Sequence, residues 1–193
     1  MSWRRGVALA CALTVVGCVL TVDDMVPLQG SEFSPALLGV WEGKWEGDSA
    51  SARAVISAAD GQTYLIDYTA EDGERTGTFE ARLGRLGDRL VLDVWPGGDE
   101  RETPVQDDLA VPGHLLFFLD TIGDAIRVSV LDPDSVAHAL EQGALGLPSR
   151  ALEGRTILLA ESDALRAALG PFVARGELVA EVGSWRRTSD APV

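Results

Sequence analysis

The side chains in this chain that could do chemistry are few and scattered. There are two histidines and two cysteines in 193 residues. His114 opens an apolar run and His138 sits in a segment of helical spacing. No His-x-x-x-His or similar metal-ligand spacing joins them, so neither a metal site nor a cofactor is expected. His114 reads as a structural histidine at a strand start, and His138 as a solvated one. Cys11 and Cys18 both lie near the N-terminus, which leaves the remainder without a disulfide, a thiolate nucleophile or a cysteine ligand. A Ser-His-Asp set can be assembled in space from distant residues. No Gly-x-Ser-x-Gly elbow is present, however, and Gly183-Ser184-Trp185 is not one. Asp93 and Glu80 could pair across two strands as a general acid and base, but alternation places both on polar faces, which favours exposure. The loop Gly97–Asp108 carries five acids but lacks the Asp-x-Asp-x-Asp-Gly order of a calcium loop, and reads as solvated. Glycine-rich phosphate motifs are absent. No catalytic residue is assigned, and the chain does not read as an enzyme. What remains is aromatic: Tyr64, Tyr68, Trp95 and Phe117 are the candidate lining of a pocket for an apolar ligand, with plain core as the alternative.

The N-terminus has its own chemistry. Arg4 and Arg5 precede an uncharged apolar stretch from Gly6 to Val22, which contains Val15-Val16-Gly17-Cys18. A branched aliphatic, a small residue and then cysteine is the lipobox pattern of a bacterial lipoprotein signal peptide. On that reading residues 1–17 are removed and Cys18 carries acyl chains such as palmitate. An uncleaved anchor or an ordinary secretory signal are the alternatives, and all three place the domain outside the cytoplasm. Val19, rather than Asp, after the cysteine favours the outer over the inner membrane.

Charge narrows the partners. The chain has 16 Lys+Arg against 30 Asp+Glu, and two of the basic residues leave with the signal segment, so the mature form is more acidic than the net −14 of the whole. No nucleic-acid partner is expected, because phosphate binding needs positive charge. Electrostatic docking to anionic lipid heads is disfavoured for the same reason.

Behind these residues the chain alternates short apolar segments with turn signals, the rhythm of an antiparallel β-protein. Strands are expected at Leu38–Glu46, Arg53–Ala58, Thr63–Tyr68, Thr76–Leu86, Arg89–Trp95, His114–Asp120, Ala125–Leu131, Thr156–Ala160 and Leu178–Arg187. Asp60-Gly61, Asp72-Gly73, Gly87-Asp88 and Gly123-Asp124 mark turns. Phe79, Ala81 and Leu83 share one face of their strand; Leu90, Leu92 and Val94 share one face of the next, opposite Val91, Asp93 and Trp95. Leu115 to Leu119 is apolar on both faces and predicts a strand covered on both sides. A helix should start at Asp132-Pro133, with Asp132 as N-cap, and stop at Gly143. A second begins near Ser162, with Leu165, Ala168, Leu169, Phe172 and Val173 on one stripe. Gly170-Pro171 should kink it or end it early. Residues 18–36 have no sustained period and read as a tether, 37–187 as the domain, and 188–193 as a tail.

Gly39-Val40-Trp41 at the start of the first domain strand, followed by strands in hairpin order, resembles the lipocalin and wider calycin barrels. The resemblance implies a mainly β fold, an antiparallel lipocalin-like barrel with two accessory helices. It implies that Trp41 closes one end and that an arginine of the last strand, Arg186, packs across it. Phe79-Glu80-Ala81-Arg82-Leu83, then Leu90-x-Leu92-Asp93-Val94-x-Pro96, a His-led apolar strand and Leu131-Asp132 before a helix are similar to a group of uncharacterised bacterial envelope lipoproteins. The helix inserted at Asp132–Gln142 departs from a lipocalin and implies a barrel that is flattened or plugged. Two functions are therefore expected. One is a lipid-anchored binding module for a small hydrophobic ligand. The alternative is an envelope scaffold or assembly factor with a filled barrel and a protein-binding surface.

Overall fold

The computed structural model describes residues 18–47, 50–71, 73, 76–97, 113–120, 122–152 and 154–189. The expected signal segment, the acidic loop beyond Gly97, Asp72 of one expected turn and the last four residues lie outside the described residues.

Among the described residues eleven strands form in two sheets. β2 (Gly39–Trp45), β3 (Ala52–Ala58), β4 (Tyr64–Ala70), β5 (Thr76–Leu86), β6 (Arg89–Pro96), β7 (Leu115–Leu119) and β8 (Ala125–Leu131) follow one another as antiparallel neighbours. β11 (Val179–Ser189) closes the circle between β8 and β2, giving an eight-stranded closed antiparallel barrel. Closure leaves these strands no unpaired edge. The architecture is compatible with a lipocalin-like fold. A small second sheet sets β1 (Val19–Thr21) parallel to β10 (Arg155–Leu158), which pairs antiparallel with β9 (Ser149–Leu152). Neither β1 nor β9 is signalled by the sequence pattern, because each is short and gains its order from its neighbours. β10 belongs to this sheet and not to the barrel.

Period two decides what fills the barrel. Phe79, Ala81 and Leu83 of β5, Leu92 and Val94 of β6, Ile126 and Val128 of β8 and Trp185 of β11 pack into one interior cluster with Trp41, Tyr64 and Tyr68. A second apolar cluster lies outside. Leu86, Val91, Leu116, Phe118 and Leu131 are buried there beneath the accessory elements. β7 is thus covered on both faces, as its unbroken apolar run requires. At roughly 1.5–3 kcal/mol for each fully buried large side chain, the outer layer contributes on the same scale as the interior.

The outer layer is built from α1 (Pro133–Glu141), α2 (Ser162–Arg175) and the N-terminal segment. Asp132 caps α1 by accepting the Ser135 N–H at 3.1 Å, with Pro133 in the first turn. α2 turns Leu165, Leu169 and Val173 inward and runs through Pro171 to a left-handed Gly176 at φ +73°. The expected early end at Gly170-Pro171 does not occur. The stripe continues through Val173, and the burial of that residue, at 0 % exposure, holds the last turn.

The expected tether at 18–36 is corrected. Val19, Leu20, Met25 and Val26 are all buried, and the segment lies against the barrel as a strap. Gly84 makes room for it: a Cβ there would come within 2.7 Å of the Val26 side chain. Glu32 bridges to Leu83 on β5, and a 3-10 turn at Pro35–Leu37 then leads into β2. Among the described residues no helix is long and apolar enough to cross a membrane.

Candidate functional site

One end of the barrel is sealed. Trp41, at 1 % exposure, donates its indole N–H to the Leu37 carbonyl at 2.8 Å. The Ser34 N–H donates to the Tyr64 hydroxyl at 2.6 Å, and Phe33 stacks on the Tyr64 ring with centroids 5.0 Å apart. Burial pushes the Tyr64 phenol above its ordinary value. Tyr64 therefore belongs to the plug and does not line an open pocket. The arginine across Trp41 is Arg187, whose guanidinium lies 5.8 Å from the ring centroid and pairs with Asp124 at 3.0 Å. Arg186 is corrected in this role. It stands opposite Glu42 and points outward, because residues two apart share a face, and the inward series is Gly183, Trp185, Arg187.

At the opposite end, where β2 finishes, the interior is aromatic and its outermost rings are half-buried. Trp45 packs against Phe117 (centroids 5.9 Å apart) and edge-on against Trp185 (5.1 Å). Tyr68 lies 6.4 Å from Trp185, and its hydroxyl accepts the Trp45 indole N–H at 3.2 Å. Trp45 and Phe117 are only half-buried, as are Leu115 and Val182 beside them. The Trp185 ring is 6 % exposed, and its Nε1–H is buried with no hydrogen-bond partner.

Two glycines explain how these rings lie. Gly43 stands opposite Trp185, and Gly183 opposite Trp45. A Cβ on Gly43 would meet the Trp185 ring at 2.6 Å, and one on Gly183 would meet the Trp45 ring at 3.2 Å. Two Gly-x-Trp triplets, Gly43-Lys44-Trp45 and Gly183-Ser184-Trp185, thus pair in antiparallel register, each tryptophan lying on the other strand's glycine. This pair is distinct from the chain's first Gly-x-Trp, Gly39-Val40-Trp41.

Of the four aromatics expected to form a pocket, Tyr68 and Phe117 reach the end opposite the plug, together with Trp45 and Trp185. Trp95 is corrected. It lies on the outer face of β6 with Asp93, 5.4 Å from the His114 ring and beneath the Arg82 guanidinium at 5.0 Å.

That outer face holds the one fully buried carboxylate among the described residues. Asp93 was expected to be exposed; it is 0 % exposed, because the strap covers it. Its Oδ2 accepts the Met25 and Val26 N–H groups at 2.6 and 3.0 Å, and its Oδ1 lies 2.8 Å from His114 Nδ1. His114 also exchanges backbone hydrogen bonds with Thr21. Glu80 faces Trp95 in the register and forms no pair with Asp93. The Asp93–His114 pair has the orientation of an acid–base dyad, but no serine hydroxyl bonds to His114 among the described residues. Its partners make it a latch for the strap. His138 is exposed, and its ring bonds to Gln142, one turn on. No group of three or more potential metal ligands comes together among the described residues.

The strap also caps α2. Glu161 offers no side-chain cap, and Asp23 Oδ2 instead accepts the Ser162 N–H at 2.9 Å. That bond, ahead of the others, holds the Asp23 carboxyl below its ordinary value. A carboxyl lowered by folding contributes stability above its unfolded pKa and loses it as pH falls through the folded one. The contribution should therefore hold from neutrality down to about pH 4 and fade below it. Unfolding midpoints at both pH values, for wild type and Asp23→Asn, check this: the variant should be less stable at neutrality, and the gap should narrow in acid. At the start of β1, burial pushes the Cys18 thiol up to about 11, against the opposing charge of Arg155.

No family model matches the chain, and neither a curated protein nor a solved structure does.

Proposed function

We propose that this is a lipid-anchored cell-envelope protein that holds a small hydrophobic ligand in the open end of its barrel. The observation that carries the reading is the contrast between the ends. One is plugged by Trp41, Tyr64 and the 3-10 turn. The other presents half-buried aromatic rings over a closed apolar interior. A closed barrel with one sealed end is a natural cup, and apolar sites with few polar groups suit small hydrophobic molecules. The anchor rests on the lipobox at Cys18. Because β1 begins at Val19, an acylated Cys18 would hold the flank of the barrel against the bilayer with no spacer between. The outer membrane and the envelope-lipoprotein group remain part of this proposal.

A filled-barrel scaffold is the second reading, and one observation favours it. Trp45 touches both Phe117 and Trp185, so the cup is occupied by its own side chain. A partner would then meet the exposed apolar residues Val22, Leu28, Phe33 and Leu159 on the strap and just after β10. Trp45 decides between the two. If the cup is a ligand site and Trp45 its gate, N-phenyl-1-naphthylamine should bind the wild type with enhanced fluorescence. Trp45→Ala, which removes the occupying ring, should bind it about tenfold more tightly, a gain of about 1.4 kcal/mol. Binding by the variant alone would favour the scaffold.

A further inference from the structure

We infer that the cup selects an uncharged, flat ligand that carries a hydrogen-bond acceptor, and that the Trp185 indole N–H is the group that reads it. The inference rests on the cup being a ligand site. Buried indole N–H groups ordinarily have a partner, and leaving a buried donor unpaired costs about 1–3 kcal/mol. Trp185 lacks one in a ring 6 % exposed, whereas the described neighbours of the same type are satisfied: Trp41 donates to Leu37, and Trp45 to Tyr68. The ring that carries the unpaired donor packs against both Trp45 and Tyr68. An acceptor entering there gains a bond that the empty protein does not make, with no protein bond broken in exchange.

The same surroundings exclude charge. Trp45, Tyr68, Phe117 and Trp185 offer ring faces, one hydroxyl and indole N–H groups, and none of the four carries a positive charge. An ionised carboxylate placed there would lose hydration without a counter-ion. The ring faces of Tyr68, Phe117 and Trp185 favour a planar body laid against them in place of Trp45. The class is therefore a neutral aromatic or polyunsaturated ring bearing a carbonyl or ether, rather than a fatty-acid anion.

Three matched probes test this on the purified full domain beginning at Cys18: 2-acetylnaphthalene, 2-ethylnaphthalene and 2-naphthoate. The first two share a shape and differ by an acceptor; the third adds a charge. The wild type should bind the ketone about fivefold more tightly than the hydrocarbon, the worth of one hydrogen bond, and the carboxylate most weakly. Trp185→Phe should lose the ketone preference and keep its affinity for the hydrocarbon. As a readout free of mutation, the Trp185 indole N–H resonance in a 15N-labelled sample should move downfield with the ketone and not with the hydrocarbon. Equal binding of ketone and hydrocarbon, with no downfield shift, overturns the inference and leaves the cup standing. Tightest binding by the carboxylate overturns the neutral class. If none of the three binds, the cup itself falls, and the inference with it.

Discussion

Replacing Asp93 with alanine should remove about 4 kcal/mol from the unfolding free energy, given about 1–3 kcal/mol for each buried donor left unpaired. Three donors meet this carboxylate: the Met25 and Val26 N–H groups and His114 Nδ1. Deleting it strands two backbone N–H groups under the strap, where water does not reach, since Met25 and Val26 are both 0 % exposed. Asp93→Asn keeps an acceptor oxygen but sets an NH2 against at least one donor, and should cost about half as much. Urea unfolding gives the totals. Amide exchange gives the location: protection should fall first over residues 19–30 and leave β2 to β5 unchanged, because the strap is a local unit whose fully buried polar anchor on the barrel is this carboxylate. A loss under about 1 kcal/mol, within the range of ordinary surface changes, would mean that the strap is held by its other contacts and not by this carboxylate.

The second large effect comes from Gly43. A Cβ there would stand 2.4 Å from the Ser184 carbonyl oxygen and 2.6 Å from the Trp185 ring. Neither can yield cheaply, since one is backbone in the β2–β11 ladder and the other is pinned in the interior. Gly43→Ala should cost about 3 kcal/mol, the upper range for overpacking. In a domain of this size that is a fall of roughly 10 °C in Tm. Gly183→Ala, whose Cβ would meet the Lys44 carbonyl at 2.6 Å, should behave likewise. Gly61→Ala is the control: nothing lies within 4 Å of its Cβ, and its Tm should not move. The glycine effect matters for function because the two contacts set the planes of Trp45 and Trp185. A Gly43→Ala protein that still folds at low temperature should bind the acetyl and ethyl probes with equal, reduced affinity.

Both predictions come from places where the sequence pattern stopped short. Most barrel strands were legible because they have one apolar face, and alternation in β5 and β6 names the inward residues correctly. The first helix was legible from Asp132-Pro133, which sets its cap and first turn. The strap was not legible. Val19, Leu20, Met25, Val26 and Leu37 follow no period, because a strip wrapped over a curved wall meets a different surface at each step. The signal that did exist lay on the receiving strand. Gly84 interrupts β5 where a side chain would serve a wet face better, and Val91 and Trp95 flank Asp93 on a face that alternation alone assigns to solvent.

The site divides the same way. Tyr68 and Phe117 were found by residue type, and Trp95 was misplaced for the same reason: aromatic character does not say which wall of a strand it occupies. Its neighbours on β6 do, since Leu92 and Val94 are interior and Trp95 sits one residue beyond Val94. Arg186 was off by one position for an equivalent reason; counting by two from Trp185 reaches Arg187. Trp45 and Trp185 became visible as a pair only once the register set Gly43 against one and Gly183 against the other.

The most direct test of the account is native mass spectrometry of the full protein extracted from its own membranes in a mild detergent. The account predicts a chain beginning at acylated Cys18, with a second, non-covalent mass that leaves on gentle activation as a neutral species carrying oxygen. A chain of bare mass, which also fails to bind N-phenyl-1-naphthylamine after extraction, would contradict it and leave a filled barrel whose work is done on its outer surface.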